Sequence, residues 1–307
     1  MRFRLTCLFA GMAALACGQP GSVAGPSTGY VFAPDAKTVR QVRGIPGAAL
    51  LGDPVDFGMP IARAEISARG DFAAAIAADG TLHLFRLGNG TAKEVTADHA
   101  MAAADRIVFS PSGTALVLYG GGQLQVLSGL PDGIAAGSAQ SVAAASPRTS
   151  VGALAVSDDG AYVLMRRGSS VLVISQPGSE RVLTESGSLA SVAFAPDSHD
   201  AAVVSGGTLS VFQDVAGPST RQDFPNASTG AVAFSANGSK IVMAGPRALT
   251  VLSRATGEAT RATCECQISG LNQMGALFRL NDPGAQPMWL LDLATDDPRL
   301  VFVPATQ

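Results

Sequence analysis

The sequence predicts an all-β chain folded as a single β-propeller of four-stranded blades. One phrase occurs five times: an apolar stretch, Ser or Ala, two small or polar residues, usually Gly, and a second apolar stretch. The copies are Glu65-Ile66-Ser67-Ala68-Arg69-Gly70, Val108-Phe109-Ser110-Pro111-Ser112-Gly113, Ala155-Val156-Ser157-Asp158-Asp159-Gly160, Ala193-Phe194-Ala195-Pro196-Asp197-Ser198 and Ala233-Phe234-Ser235-Ala236-Asn237-Gly238. Their last residues lie 43, 47, 38 and 40 positions apart. A period near 40 with several short strands per unit marks a propeller blade. Composition agrees: charged residues make up only 15% of the 307, and 35 are Gly, a balance suited to many tight turns. Blades cannot bury their faces singly, so the repeat argues for one domain.

The unit around Gly238 shows the four strands. Ala231 to Phe234 reads as strand a, Lys240 to Ala244 as b, Leu249 to Ser253 as c and Ala259 to Thr263 as d, each rich in apolar or β-branched residues. Asp159-Gly160 and Asn237-Gly238 are the strongest a–b turn signals, because Gly adopts positive φ at little cost. A second turn series, at Asp79-Gly80, Gly120-Gly121-Gly122, Gly168-Ser169, Gly206-Gly207 and Pro246-Arg247, separates b from c. Each is followed by an apolar strand, as in Leu82-His83-Leu84-Phe85 and Val171-Leu172-Val173-Ile174. A sixth unit is degenerate at its start (Leu271 to Gly275) and clear over Ala276 to Leu280, Met288 to Leu293 and Leu300 to Val303. At the N-terminus, Tyr30 to Ala33 reads as a strand c and Thr38 to Val42 as a strand d. That hairpin is expected to close the ring beside the C-terminal strands; an incomplete blade of its own is the other arrangement. Six units and a half favour seven blades, with six as the alternative.

The turns Ser110-Pro111-Ser112-Gly113 and Ala195-Pro196-Asp197-Ser198 resemble the S-P-D-G turn of bacterial YVTN and PD40-type propellers, relatives of WD40 repeats. Arg43-Gly44-Ile45-Pro46-Gly47-Ala48 with Gly52-Asp53-Pro54 resembles the opening of bacterial propellers that have no assigned function. The similarity spans about residues 29 to 305. It implies architecture and no activity, and the chain has no Trp-Asp dipeptide.

The first residues read as an export signal. Arg2 and Arg4 precede a largely apolar run, Leu5 to Ala16, too short to span a bilayer. Ala14-Leu15-Ala16 puts small residues at −3 and −1, and Cys17 follows. This resembles the lipobox of bacterial lipoproteins, in which that Cys carries lipid, although Leu sits here at −2. Ordinary cleavage before Cys17 is the competing reading. The expected division is a signal peptide over 1–16, a Gly/Pro/Ser-rich tether over 17–28 and the propeller over 29–307. The protein is expected to be exported, to the periplasm or outer membrane as a lipoprotein or as a secreted protein. With Cys7 lost and Cys17 lipidated, Cys264 and Cys266 are the remaining thiols. On an extended strand they share a face too far apart for a bond, but a turn at Glu265 permits a disulfide. Free thiols remain the alternative, and a lone C-x-C lacks the other ligands zinc requires.

No chemistry is legible. The net charge is −3 and the longest basic run is Arg166-Arg167, which argues against nucleic acid. The three histidines, His83, His99 and His199, fall in three kinds of position. Asp158, Asp159 and Asp197 sit in a–b turns, where such side chains cap locally. Arg166-Arg167 is read as following strand b and facing solvent. Gly120-Gly121-Gly122 opens a strand, unlike a phosphate loop. No catalytic, cofactor-binding or metal-ligating residue is assigned. The expected function is that of a non-catalytic cell-envelope module, monomeric, binding a protein partner and touching membrane only through a lipid anchor. Arg63, Arg148, Arg166 and Gln222 are loop candidates for that contact. The alternative is a hydrolase or lactonase with its site at one mouth of the channel.

Overall fold

The computed structural model describes residues 26–142, 151–186, 190–225, 227–228, 230–295 and 297–305. Among them there is no helix, and the strands form seven antiparallel sheets. Blade 1 is β1 (Ser27–Ala33), β2 (Thr38–Arg43) and β3 (Leu50–Pro54). Blade 2 is β4 (Ile61–Ile66), β5 (Phe72–Ala77), β6 (Leu82–Gly88) and β7 (Thr91–Val95). Blade 3 is β8 (Arg106–Phe109), β9 (Ala115–Gly120) and β10 (Gln123–Ser128), with its outer strand broken into β11 (Ala135–Ala136) and β12 (Gln140–Ser141). Blade 4 is β13 (Val151–Val156), β14 (Tyr162–Arg167), β15 (Ser170–Ser175) and β16 (Glu180–Glu185). Blade 5 is β17 (Ala190–Phe194), β18 (Ala201–Ser205), β19 (Thr208–Gln213) and β20 (Thr220–Pro225). Blade 6 is β21 (Val232–Phe234), β22 (Lys240–Ala244), β23 (Ala248–Ser253) and β24 (Ala259–Thr263). Blade 7 is β25 (Asn272–Met274), β26 (Leu277–Arg279), β27 (Met288–Asp292) and β28 (Arg299–Val303). The protein is a seven-bladed β-propeller.

The core is divided among the blade-to-blade joints. A strand presents alternate side chains to opposite sheet faces, and in a propeller both faces are covered. Val163 and Met165 of β14 therefore pack toward blade 3, while Leu164 packs toward blade 5. Each adjacent pair of blades shares one such cluster, and the one between blades 7 and 1, with Val31, Val42, Met274 and Leu290, completes the ring.

The serine of the repeated phrase has a structural task. In blade 4 the Ser157 N–H donates to the Tyr162 carbonyl at 2.9 Å, and Ser157 Oγ accepts from the Tyr162 N–H at 3.0 Å. Ser67, Ser110 and Ser235 hold Phe72, Ala115 and Lys240 in the same way. All four serines are buried, so each hydroxyl satisfies an N–H that water cannot reach. The glycine that follows takes φ of 70°, 75°, 72° and 68° at Gly70, Gly113, Gly160 and Gly238. Blade 5 has Ala195 and lacks that glycine; its left-handed residue is Asp197, at φ 51°.

The N-terminal hairpin corrects the expectation of a blade shared by both chain ends. β1 and β2 pair with β3 in a separate sheet, and the C-terminal strand β28 pairs only with β27. Nor are they strands c and d. Tyr30, near the start of β1, accepts a hydrogen bond at its Oη from Gly90 N in the c–d turn of blade 2. The Phe32 carbonyl, near its end, accepts from Arg279 at the end of strand b in blade 7. β1 therefore runs opposite to the other innermost strands, and β1, β2 and β3 have the directions of b, c and d. Blade 1 lacks strand a, and β1 takes the innermost place. It has no a–b turn either, so the turns of its neighbours meet directly, Gly275 N donating to the Ala68 carbonyl.

Candidate functional site

The innermost strands enclose a channel with a cavity of about 400 Å³. Its wall mixes apolar side chains, Ile66, Val108, Leu154, Ala193 and Ala233 among them, with polar groups such as Ser67, Asn272 and Gln273. Two charged side chains stand in that wall, Glu65 from β4 and Arg279 from β26. Burial pushes the Glu65 carboxyl above the ordinary carboxylate range, although Arg279 and Arg63 attract its charge. Burial likewise pulls the Arg279 guanidinium below its usual value, against the opposing pull of Asp282 and Glu65. Arg279 is held by Asp282 at 3.2 Å and by the Phe32 carbonyl at 3.4 Å. It thus locks blade 7 to blade 1 beside the channel.

The two faces of the ring differ. The lower face carries the a–b and c–d turns and is rich in carboxylates that tie blades together. Asp158 does not cap its own turn. Its Oδ1 accepts from Ser112 N in blade 3 at 2.7 Å, and its Oδ2 from Asp197 N in blade 5 at 2.8 Å. Asp159 does cap locally, accepting from Ser157 Oγ and Ala161 N, and it also meets His199 Nε2 at 2.8 Å. Burial would raise the Asp159 carboxyl, but the hydrogen bonds from Ser157, Ala161 and His199 together hold it below its ordinary value. The His199 ring also stands edge-on to Tyr162, centroids 4.7 Å apart.

The upper face carries the b–c turns and the connections between blades. Three arginines lie along it over blades 2, 3 and 4. Arg63 donates to the Asp105 and Ala104 carbonyls, Arg106 to the Gly152 carbonyl and Arg166 to the Gly168 carbonyl. The Arg166 guanidinium presses so closely on Gly152 that any Cβ there would collide with it. Arg106 and Arg166 thus converge on one glycine. Arg166 and Arg167 are the last residues of strand b and do not follow it. Arg167 pairs with Glu180 at 2.8 Å.

The other candidates are scattered. His83 bridges Glu94 at 2.6 Å and Thr81 at 2.9 Å on blade 2. His99 lies in the connection to blade 3 at φ 64°, and His199 is on the lower face. Gln222 lies on the outer strand β20. Cys17, Arg148, the signal peptide and nearly all of the tether lie outside the described residues. Cys264 and Cys266 lie in the connection from blade 6 to blade 7, both buried, with sulfurs 2.08 Å apart. No group of three or more His, Cys, Asp or Glu able to hold a metal occurs among the described residues.

Sequence reasoning missed Arg106, and the signal was present. Arg63 and Arg106 each precede their turn glycines, Gly70 and Gly113, by seven residues. They occupy one register position in successive blades.

No protein-family model matches the chain, and no curated protein matches it. A solved structure from Desulfotomaculum acetoxidans, described as a functionally unknown protein, is similar to it. The TM-score is 0.60 at 12% identity, covering 91% of this chain and 100% of that one. The likeness is one of fold. Shared architecture carries no activity across.

Proposed function

We propose that the protein is a non-catalytic binding or scaffold module of the cell envelope, of the YVTN/PD40 kind, that docks a protein partner on its loops. The observation that carries this reading is the apportioning of ionisable groups. Active sites gather perturbed acids and bases at one place. Here His83, His99 and His199 lie apart and the carboxylates of the lower face hold turns together; the one perturbed pair that shares a place, Glu65 and Arg279 in the channel wall, has its Arg279 bonded to Asp282 and to the Phe32 carbonyl at a blade joint. A ring closed by seven apolar joints is a stiff platform, and stiff platforms carry recognition on their loops. The export signal and Cys17 favour delivery to the envelope, with a lipid anchor at Cys17. A single chain gives weak membrane affinity, so retention would need full lipidation.

Crosslinking in native envelopes, followed by pull-down of the tagged protein, tests the reading. One stoichiometric partner that survives washing is the expected result. Turnover of lactones or esters, abolished by Glu65→Gln or Arg279→Gln in a folded variant, would overturn it in favour of the hydrolase. Mass spectrometry of the mature N-terminus tests the anchor. A diacylglyceryl Cys17 is expected, and an unmodified Cys17 or a later start refutes it.

A further inference from the structure

We propose that Arg63, Arg106 and Arg166 form a docking arc on the upper face for an acidic segment of the partner protein, an inference that rests on the binding-module reading above. The arc brings like charges together with little to compensate them. Arg106 and Arg166 meet at Gly152, one on its carbonyl and the other against its Cα. Arg63 reaches the carbonyls of the two residues that precede Arg106. Every one of these acceptors is a neutral backbone carbonyl. Among the described residues, none of the three arginines has a carboxylate within salt-bridge distance, whereas seven other arginines do. Arg63 attracts the charge of Glu65 in the channel wall without bonding to it, and the Asp105 carboxylate accepts from Gly121 N at 3.4 Å. Arg63 Nε is buried and has no hydrogen-bond partner.

Backbone carbonyls account for two donors on Arg63 and one each on Arg106 and Arg166, the last within its own blade, but leave the repulsion standing. Two guanidinium groups a few ångströms apart cost free energy unless an anion lies between them. Guanidinium forks match carboxylates in pairs, and such charge-assisted bonds are the strong ones. The partner's chemistry follows from the extent of the patch. Three cations over three blades suit a few carboxylates in one segment. A long polyanion would meet the negative charge of the rest of the chain, net −3.

The test uses the full-length protein and a fluorescein-labelled (Glu-Gly)4 peptide, read by anisotropy at 50 mM salt. The expected result is saturable binding that weakens at least about fivefold in Arg106→Gln and in Arg166→Gln, the loss of one charge-assisted bond. Arg106→Lys should restore part of it, and Arg261→Gln, on the outer strand of blade 6, should change nothing. The thermal midpoint of each variant separates lost binding from lost folding. No binding of the peptide overturns the proposal. So does equal binding of (Gln-Gly)4, an equal loss in Arg261→Gln, or capture of inorganic phosphate without the peptide. Pull-down with the same variants separates this inference from the reading beneath it. A partner retained equally by wild type and Arg106→Gln removes the arc and leaves the module. No partner on wild type removes the module, while the peptide result still decides the arc.

Discussion

Ser157→Ala tests the physical reason for the repeated serine. The side chain is fully buried. Its hydroxyl accepts from Tyr162 N at 3.0 Å and lies 2.6 Å from Asp159 Oδ1, to which it donates. Alanine keeps the backbone pairing, since the Ser157 N–H still reaches the Tyr162 carbonyl. What is lost is an acceptor for a hidden N–H and a donor to a carboxylate. Leaving one buried partner unsatisfied costs about 1–3 kcal/mol. For a chain of this size that lowers the thermal midpoint by about 2 °C per kcal/mol. The assay is chemical and thermal denaturation of wild type beside Ser157→Ala, Ser110→Ala and Ala195→Ser. Ser110→Ala should fall by less, because the Ser110 hydroxyl holds Ala115 N at 3.0 Å with no such carboxylate bond. Ala195→Ser should be neutral or stabilising, since blade 5 lacks the serine. A midpoint unchanged in Ser157→Ala would refute the argument and reduce the serine to a small residue that fits.

Three further outcomes follow from the charges and thiols. Glu65→Gln should be at least as stable as wild type at pH 7: burial raises the folded carboxyl, so ionising it weakens the fold as pH climbs above 4.5. The gap should close below that pH, and a variant clearly less stable at pH 7 would contradict it. Asp159→Asn should be less stable at pH 7, with the difference vanishing as acid protonates the wild-type carboxylate below 3.8, since its folded value is depressed. A difference that persists at pH 2 would assign the loss to packing. Alkylation in denaturant should label neither Cys264 nor Cys266 until a reductant is added. Reduction should lower stability by no more than about 1–2 kcal/mol, because so short a loop excludes few unfolded conformations; full labelling without reductant would show free thiols.

The fold was legible because a propeller repeats its physics. Strands β21, β22, β23 and β24 start and end within one residue of where the apolar runs of blade 6 put them. The a–b turns of blades 2, 3, 4 and 6 could be placed from Gly, since the left-handed conformation there excludes most other residues, and that of blade 5 from Ala195-Pro196-Asp197-Ser198, where Asp197 takes that conformation. Blade 1 was misread for an equally physical reason. Tyr30 to Ala33 and Thr38 to Val42 carry the alternation of any propeller hairpin, and alternation does not state direction. Direction came from tertiary contacts, Tyr30 Oη with Gly90 and the Phe32 carbonyl with Arg279. β3, with Gly52, Asp53 and Pro54, has the composition of a turn and pairs only because β2 offers it an edge.

The upper-face arginines show where sequence reading stops. Arg63 and Arg106 share a register, and their neighbourhood follows from blade order once the period is known. Arg166 breaks the pattern. The same register in blade 4 falls on Ala153, and the guanidinium comes instead from strand b, across Gly152. Glycine at 152 has no turn to make. Its absent side chain is the space Arg166 fills, so the third charge of the arc depends on a packing detail between two strands. A substitution at Gly152 therefore reads both parts of the argument. Gly152→Ala should displace Arg166, weaken acidic-peptide binding as Arg166→Gln does, and destabilise blade 4 only slightly, since β13 tolerates alanine at its next position. Unaltered binding in a folded Gly152→Ala variant would mean that Arg166 takes no part in the arc.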